Sequence, residues 1–190
     1  MFKLTIAQSG YPHDGDVLSQ VERFANRAAD KGAQLLAFPE NLMHPCELTA
    51  DQLAALAEPL DGPFARGVCN IAREHGVWIA FTMNELRPGT TSARHATQGA
   101  DGHGAPGPTT VADGRGAIGP TTVVSPLGPT VTGAPPFNTA AIASPDGTVC
   151  GVYRKCHLYD AHGVFESDRL SSGNELARPI HTSLGTFGMG

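Results

Sequence analysis

The sequence predicts an α/β layered fold, and three observations predict it. Short apolar runs with strand character recur along the chain, stretches of 3.6-residue apolar period lie between them, and Gly or Pro stands where one pattern gives way to the other. At 190 residues with 41% hydrophobic content, the chain is long enough to bury one core of ordinary size.

The elements follow in order. Lys3 to Ala7 alternates as a strand, and Asp16 stands as an N-cap before a helix whose apolar positions Val17, Leu18, Val21, Phe24, Ala25 and Ala28 share one face. Gly32 ends it. Gln34 to Phe38 is a compact apolar run of the kind that is buried in a sheet covered by helices, and it delivers Pro39-Glu40 to a strand end. Asp51 to Ala57 and Pro63 to His75 read as helices, and Gly76 then breaks into the strand Val77 to Phe81. The order is βαβααβ. Beyond Phe137, two strands, Thr139 to Ala143 and Thr148 to Tyr153, flank Ser144-Pro145-Asp146-Gly147, which is a turn by its own chemistry, so this pair is a hairpin.

Between these parts lies a stretch of different character. Glycine (23) and proline (15) make up a fifth of the chain, against a usual combined share of about 12%, and the excess collects at 87–136. Gly107-Pro108-Thr109-Thr110-Val111 recurs there as Gly119-Pro120-Thr121-Thr122-Val123 and in part at Gly128 to Val131. This is low-complexity repetition, and it predicts a disordered insertion into a single unit spanning 1–190. The strand pattern on both sides survives its removal.

Charge and cysteine usage narrow the function classes. A formal charge of −5 and a pI near 5.8 give no electrostatic reason for nucleic acid or an anionic membrane surface as partner. With neither a long apolar span nor a signal-type start, the expectation is a cytoplasmic protein. Cys46, Cys69, Cys150 and Cys156 form no CxxC pair, and His95, His103, His157 and His162 have no spacing that specifies a metal, so neither a metal nor a cofactor is expected. Gly102 to Gly107 matches GxGxxG, yet it follows no strand and opens no helix. A nucleotide-binding module therefore rests on fold class alone.

Three segments stand out together: Phe38-Pro39-Glu40-Asn41 at a strand end, Tyr153-Arg154-Lys155-Cys156-His157-Leu158-Tyr159-Asp160-Ala161 after the hairpin, and Phe165-Glu166-Ser167-Asp168 beyond. Taken singly, each has an ordinary reading as a loop carboxylate, a strand-end lysine and a capping cluster. In this order and on these elements they resemble the signatures of the carbon–nitrogen hydrolases of the nitrilase superfamily. The resemblance implies an αββα sandwich, of which this chain would be the N-terminal part, and a small-molecule amide as substrate in preference to a nitrile or carbamoyl compound. It also implies a Cys-Glu-Lys thioester mechanism without cofactor, and a homo-oligomer in the complete form.

The chemistry fits those residue types. Attack on an amide or nitrile carbon needs a thiolate, a base to make it, and a cation or donor for the charge that develops. By the resemblance Glu40 is the general base, expected to be partly buried; Lys155 stabilises the tetrahedral intermediate; and Glu166, eleven residues on across a turn containing Gly163, positions the substrate or the lysine. The nucleophile of the family follows a strand reading Gly-x-Gly-x-Cys, whereas these residues end Thr186-Phe187-Gly188-Met189-Gly190. The cysteine is therefore expected about two positions further on. Cys156 and Cys150 should face away from Lys155, Cys69 lies in a helix and Cys46 in a loop, so none of the four substitutes for it. His157, next to Cys156, is read as structural. Two readings follow: a carbon–nitrogen hydrolase whose 190 residues are inactive by themselves, or a non-catalytic remnant able at most to associate with an intact homologue.

Overall fold

In the computed structural model, residues 1–90 and 134–190 are described. Most of the predicted 87–136 insertion, with its repeats, the GxGxxG match, His95 and His103, lies outside them. Chain order is β1 (Leu4–Ile6), α1 (Val17–Asp30), β2 (Leu35–Ala37), α2 (Ala50–Leu56), α3 (Pro63–His75), β3 (Trp78–Glu85), β4 (Phe137–Ala143) and β5 (Val149–Arg154). Two short hairpins follow, β6 (Asp160–Ala161) with β7 (Val164–Phe165) and β8 (Ile180–Thr182) with β9 (Gly185–Phe187); a 3-10 turn at Glu166–Asp168 separates them.

The first five strands form one sheet in chain order. β1, β2 and β3 run parallel, with Leu4 opposite Leu35 and Leu35 opposite Trp78. Helical crossovers make those connections. β4 then pairs antiparallel to β3, from Ile79 opposite Ala143 to Glu85 opposite Phe137, and β5 antiparallel to β4. Alternation along the strands sorts their side chains by face. Ile79, Phe81 and Met83 of β3 and Ala141 and Ala143 of β4 pack with Val21, Ala25 and Ala28 of α1 and Phe64, Val68 and Ala72 of α3. Full burial of each large apolar side chain contributes about 1.5–3 kcal/mol relative to exposure. Thr82, Asn138 and Ala140 alternate with these residues and so point to the other face. The site is built on that face.

Helix ends follow local chemistry. Pro63 opens α3, where its missing N–H is harmless, and Gly76 closes it in the left-handed region at φ 63°. Thr49 and Gln52 cap α2 reciprocally, a box that the expectation of a helix starting at Asp51 had passed over. At the start of α1, Asp16 accepts from the Ser19 backbone N–H at 3.0 Å and from its hydroxyl at 2.5 Å. The Ser19 hydroxyl and then its N–H lower the Asp16 carboxyl below its ordinary value. A carboxyl lowered by folding adds stability above its unfolded pKa and loses it as pH falls through the folded one. Asp16→Ala is therefore expected to lower the Tm at neutral pH, with the gap to the parent narrowing in strong acid. Thermal melts across the acid range measure this, and a gap that holds constant with pH would assign the effect to something other than the carboxylate. Among the described residues no helix is long and apolar enough to cross a membrane.

Candidate active site

The carboxyl ends of the parallel strands are where an α/β sheet presents groups to a ligand, and the three segments singled out in the sequence converge at that end. Glu40 sits on the turn after β2, followed by Asn41 in the left-handed region at φ 59°, a conformation that Asn tolerates better than most residues. Lys155 comes directly after β5, and its backbone N–H donates to the Asn138 carbonyl of β4 at 2.9 Å. Its own carbonyl accepts from Gly173 N–H at 2.9 Å. That approach requires glycine, since a Cβ at 173 would lie 2.4 Å from the Arg154 carbonyl oxygen. Glu166 opens the 3-10 turn after the β6–β7 hairpin, whose reversal uses His162 and Gly163 at positive φ.

The Lys155 ammonium joins the two carboxylates, lying 3.1 Å from Glu40 Oε1 and 2.9 Å from Glu166 Oε2. Glu166 Oε2 also accepts the Tyr159 N–H at 2.7 Å, which fixes that carboxylate behind the lysine. Burial works against the charge on Lys155, but the hydrogen bonds and charges of Glu166 and Glu40 together outweigh it and hold the ammonium above its ordinary pKa. Lys155 is thus a permanent cation near neutrality. The Glu40 side chain is 50% exposed, more open than expected for a base, because its turn stands at the sheet end with the cavity beside it and little packed around its outer side.

A cavity of about 440 Å³ adjoins this cluster, lined by Glu40, Thr82, Asn138, Ala140, Tyr153, Lys155, His157 and Gly190. Glu166 stands outside its wall. His157, set aside in the sequence as structural, contributes to the lining as an exposed residue. Thr82, Asn138 and Tyr153 are wall residues that sequence reasoning did not pick out. The alternation of strands β3 to β5 around known core positions carried the only signal for them.

All four cysteines are described, and none lines this cavity. Cys156 Sγ lies 3.2 Å from the Glu175 carbonyl and Cys150 Sγ 3.4 Å from that of Ile142. Cys69 is buried in α3. Cys46 sits 3.3 Å from a Glu47 carboxylate oxygen. Burial pushes the Cys69 and Cys150 thiols up, and the Glu47 hydrogen bond, ahead of burial, does the same for Cys46. Raised thiols ionise poorly and make weak nucleophiles.

A layered α/β fold that gathers two carboxylates round an ammonium beside a small cavity is the kind of centre that hydrolases build. The family model for carbon–nitrogen hydrolases matches residues 4–102, and the chain belongs to that family. Two curated hydrolases of Mycobacterium tuberculosis, from strains H37Rv and CDC 1551 / Oshkosh, are each 32% identical to it over 158 residues. Those alignments take in 83% of this chain and 40% of each relative. Among solved structures, the NitFhit protein of C. elegans superposes with a TM-score of 0.64 at 19% identity, over 99% of this chain and 37% of that one. Nit3 of Saccharomyces cerevisiae, a nitrilase-superfamily member, gives 0.57 at 20% identity over 98% of this chain and 52% of its own. An amidase from Nesterenkonia sp. AN1, with acrylamide added to its active-site cysteine, gives 0.55 at 18% identity, over 96% and 54%. The fold is therefore that of the nitrilase superfamily, and the chain spans about 40% of the curated relatives' length.

Proposed function

We infer that these residues serve the hydrolysis of a small amide through a cysteine thioester, in a cytoplasmic enzyme. The observation that carries this reading is the Glu40–Lys155–Glu166 chain of ion pairs beside the cavity. Glu40 takes the proton of an attacking thiol, and the thiolate sulfur bonds to the amide carbon. The carbonyl oxygen becomes an oxyanion, which the Lys155 ammonium stabilises. Collapse breaks the C–N bond, Glu40 returns its proton to the departing amine, and water then cleaves the thioester with Glu40 again as base. Glu166 keeps Lys155 in place. The similarity in fold to an amidase supports an amide in preference to a nitrile or carbamoyl compound.

Of the groups that touch the substrate in this scheme, Glu40 and Lys155 line the cavity and the thiol does not. Gly190 lies in the wall of the cavity that Glu40 and Lys155 also line. The alternative, a non-catalytic remnant that associates with an intact homologue, draws on the same fact, that none of the four cysteines is placed for attack. Ammonia release from small aliphatic amides separates the readings. The 190 residues alone are expected to stay at background, whereas a native gene product that carries a cysteine close after Gly190 is expected to turn over. Turnover by the 190 residues alone would mean that one of the four cysteines had been misjudged, and a native product without that cysteine would leave the remnant reading.

A further inference from the structure

We propose that Asn138 and Thr82 are positioning residues which decide the carboxylate oxygen that serves as base: Oε1 of Glu40 is held, and Oε2 takes the proton. The proposal rests on the reading of Glu40 as general base and goes one step further, to the atom.

Glu40 needs such positioning. It stands on a two-residue turn with half its side chain exposed, and a Glu side chain left to itself samples many rotamers. Two neighbours restrain it from the sheet face opposite the helices. Thr82 of β3 acts on the backbone, because its hydroxyl donates to the Pro39 carbonyl at 3.2 Å and accepts the Leu42 N–H at 3.1 Å, so one side chain spans the turn on either side of Glu40-Asn41. Asn138 of β4 acts on the carboxylate. It is only 8% exposed, and its Nδ2–H donates to Glu40 Oε1 at 2.7 Å. An ionised carboxylate only accepts, so the amide must present its NH₂ there. The Asn138 carbonyl also holds the Lys155 N–H. One residue thereby sets the carboxylate and the ammonium relative to each other.

The consequence lies in how the donors divide. Asn138 and Lys155 both reach Oε1, at 2.7 and 3.1 Å, and among the described residues nothing donates to Oε2. The oxygen with two donors is the poorer base. Proton transfer then runs from the thiol S–H to Oε2, leaving thiolate, and from Oε2–H to the amine nitrogen as the C–N bond breaks, which restores the carboxylate. Efficient transfer depends on that geometry before anything else.

The test has an arm that needs no turnover. In the 190-residue chain the Asn138 side-chain amide resonances, followed by ¹⁵N NMR, are expected to move on acidification as Glu40 protonates, and to lose that response in Glu40→Gln. An amide indifferent to acid in the parent, or one that responds equally in Glu40→Gln, overturns the contact. The second arm uses the native gene product. Asn138→Ala is expected to lower kcat about 10- to 100-fold, the scale of one hydrogen bond to a charged group, and Thr82→Val about 3- to 10-fold, the scale of hydrogen bonds to neutral backbone groups, with KM within about twofold in both. Thr82→Ser, which restores the hydroxyl, is expected to recover most of the loss. If Glu40→Gln leaves turnover intact, the base reading itself fails. If Glu40→Gln silences the enzyme while Asn138→Ala and Thr82→Val keep the parent kcat, the positioning role fails and the base stands. A fall in kcat that only tracks the folded fraction in thermal melts would make both residues merely structural.

Discussion

Replacing Lys155 by Met is expected to cut amide turnover by the native gene product on the order of 100- to 1,000-fold, the usual loss when one stabilising donor is taken from a developing oxyanion. Met keeps most of the apolar stem and removes only the ammonium, so packing changes little. KM should change less than kcat, because the charge that Lys155 meets exists only as the tetrahedral intermediate forms. Stability offers a second readout. Without the cation, Glu40 and Glu166 face each other with no charge between them. The folded-state pKa of Lys155 lies above its unfolded value, so its contribution to stability is complete below the unfolded pKa and is lost as pH rises through the folded one. The stability gap between the parent and Lys155→Met should therefore stand at neutral pH and close only in strong alkali. Near-parental turnover by Lys155→Met would remove the lysine from the mechanism.

What could be read in advance was what local chemistry decides. α3 runs from Pro63 to His75 as expected, because a proline start, a 3.6-residue apolar face and a left-handed Gly76 are all contained within it. α1 likewise begins at its Asp16 cap and ends before Gly32. The strand expected to stop at Phe81 instead runs to Glu85. Thr82 to Glu85 looks like loop in one dimension; it is sheet because Phe137 to Ala140, far along the chain, pair with it, while Thr139 and Arg154 satisfy the buried Glu85 carboxylate. The same limit applies to the site. Glu40, Lys155 and Glu166 were legible through motifs, and the structure does bring them together. Thr82 and Asn138 were not, since what places them is register: Thr82 opposite Ala140 and Asn84 opposite Asn138. No local pattern encodes a pairing across more than fifty residues. The β6–β7 and β8–β9 hairpins are two or three residues per strand, too short to show a period.

The buried end of Glu85 sets up the largest expected effect on stability. Glu85 is 3% exposed and is gripped by Arg154, whose Nε and Nη2 donate to its two oxygens at 2.8 and 2.5 Å, while the Thr139 hydroxyl donates at 2.8 Å. The Arg154 guanidinium also lies 5.2 Å from the centre of the Phe137 ring. Arg154→Ala would leave a buried carboxylate with Thr139 as its one side-chain donor among the described residues. Removing one partner of a fully buried pair costs about 3–5 kcal/mol. The Arg154 side chain is 37% exposed, so water takes over part of its role and the expected loss is nearer 2–3 kcal/mol. For a chain of this size that is a fall in Tm of about 4–12 °C. The double variant Glu85→Gln with Arg154→Met should recover much of it, because the penalty belongs to the uncompensated charge and not to the missing bond. The consequence reaches the other face of the sheet. Arg154 precedes Lys155 and Thr139 follows Asn138, so a clamp on one face holds the strand ends that present the ammonium and the amide on the other. Arg154→Ala is therefore expected to lower turnover as well, although its side chain does not line the cavity. Urea midpoints for the three proteins decide the matter. A loss below about 1 kcal/mol for Arg154→Ala, the scale of a solvated surface pair, would show that water satisfies Glu85 unaided. A double variant no more stable than the single one would place the energy in the bond itself.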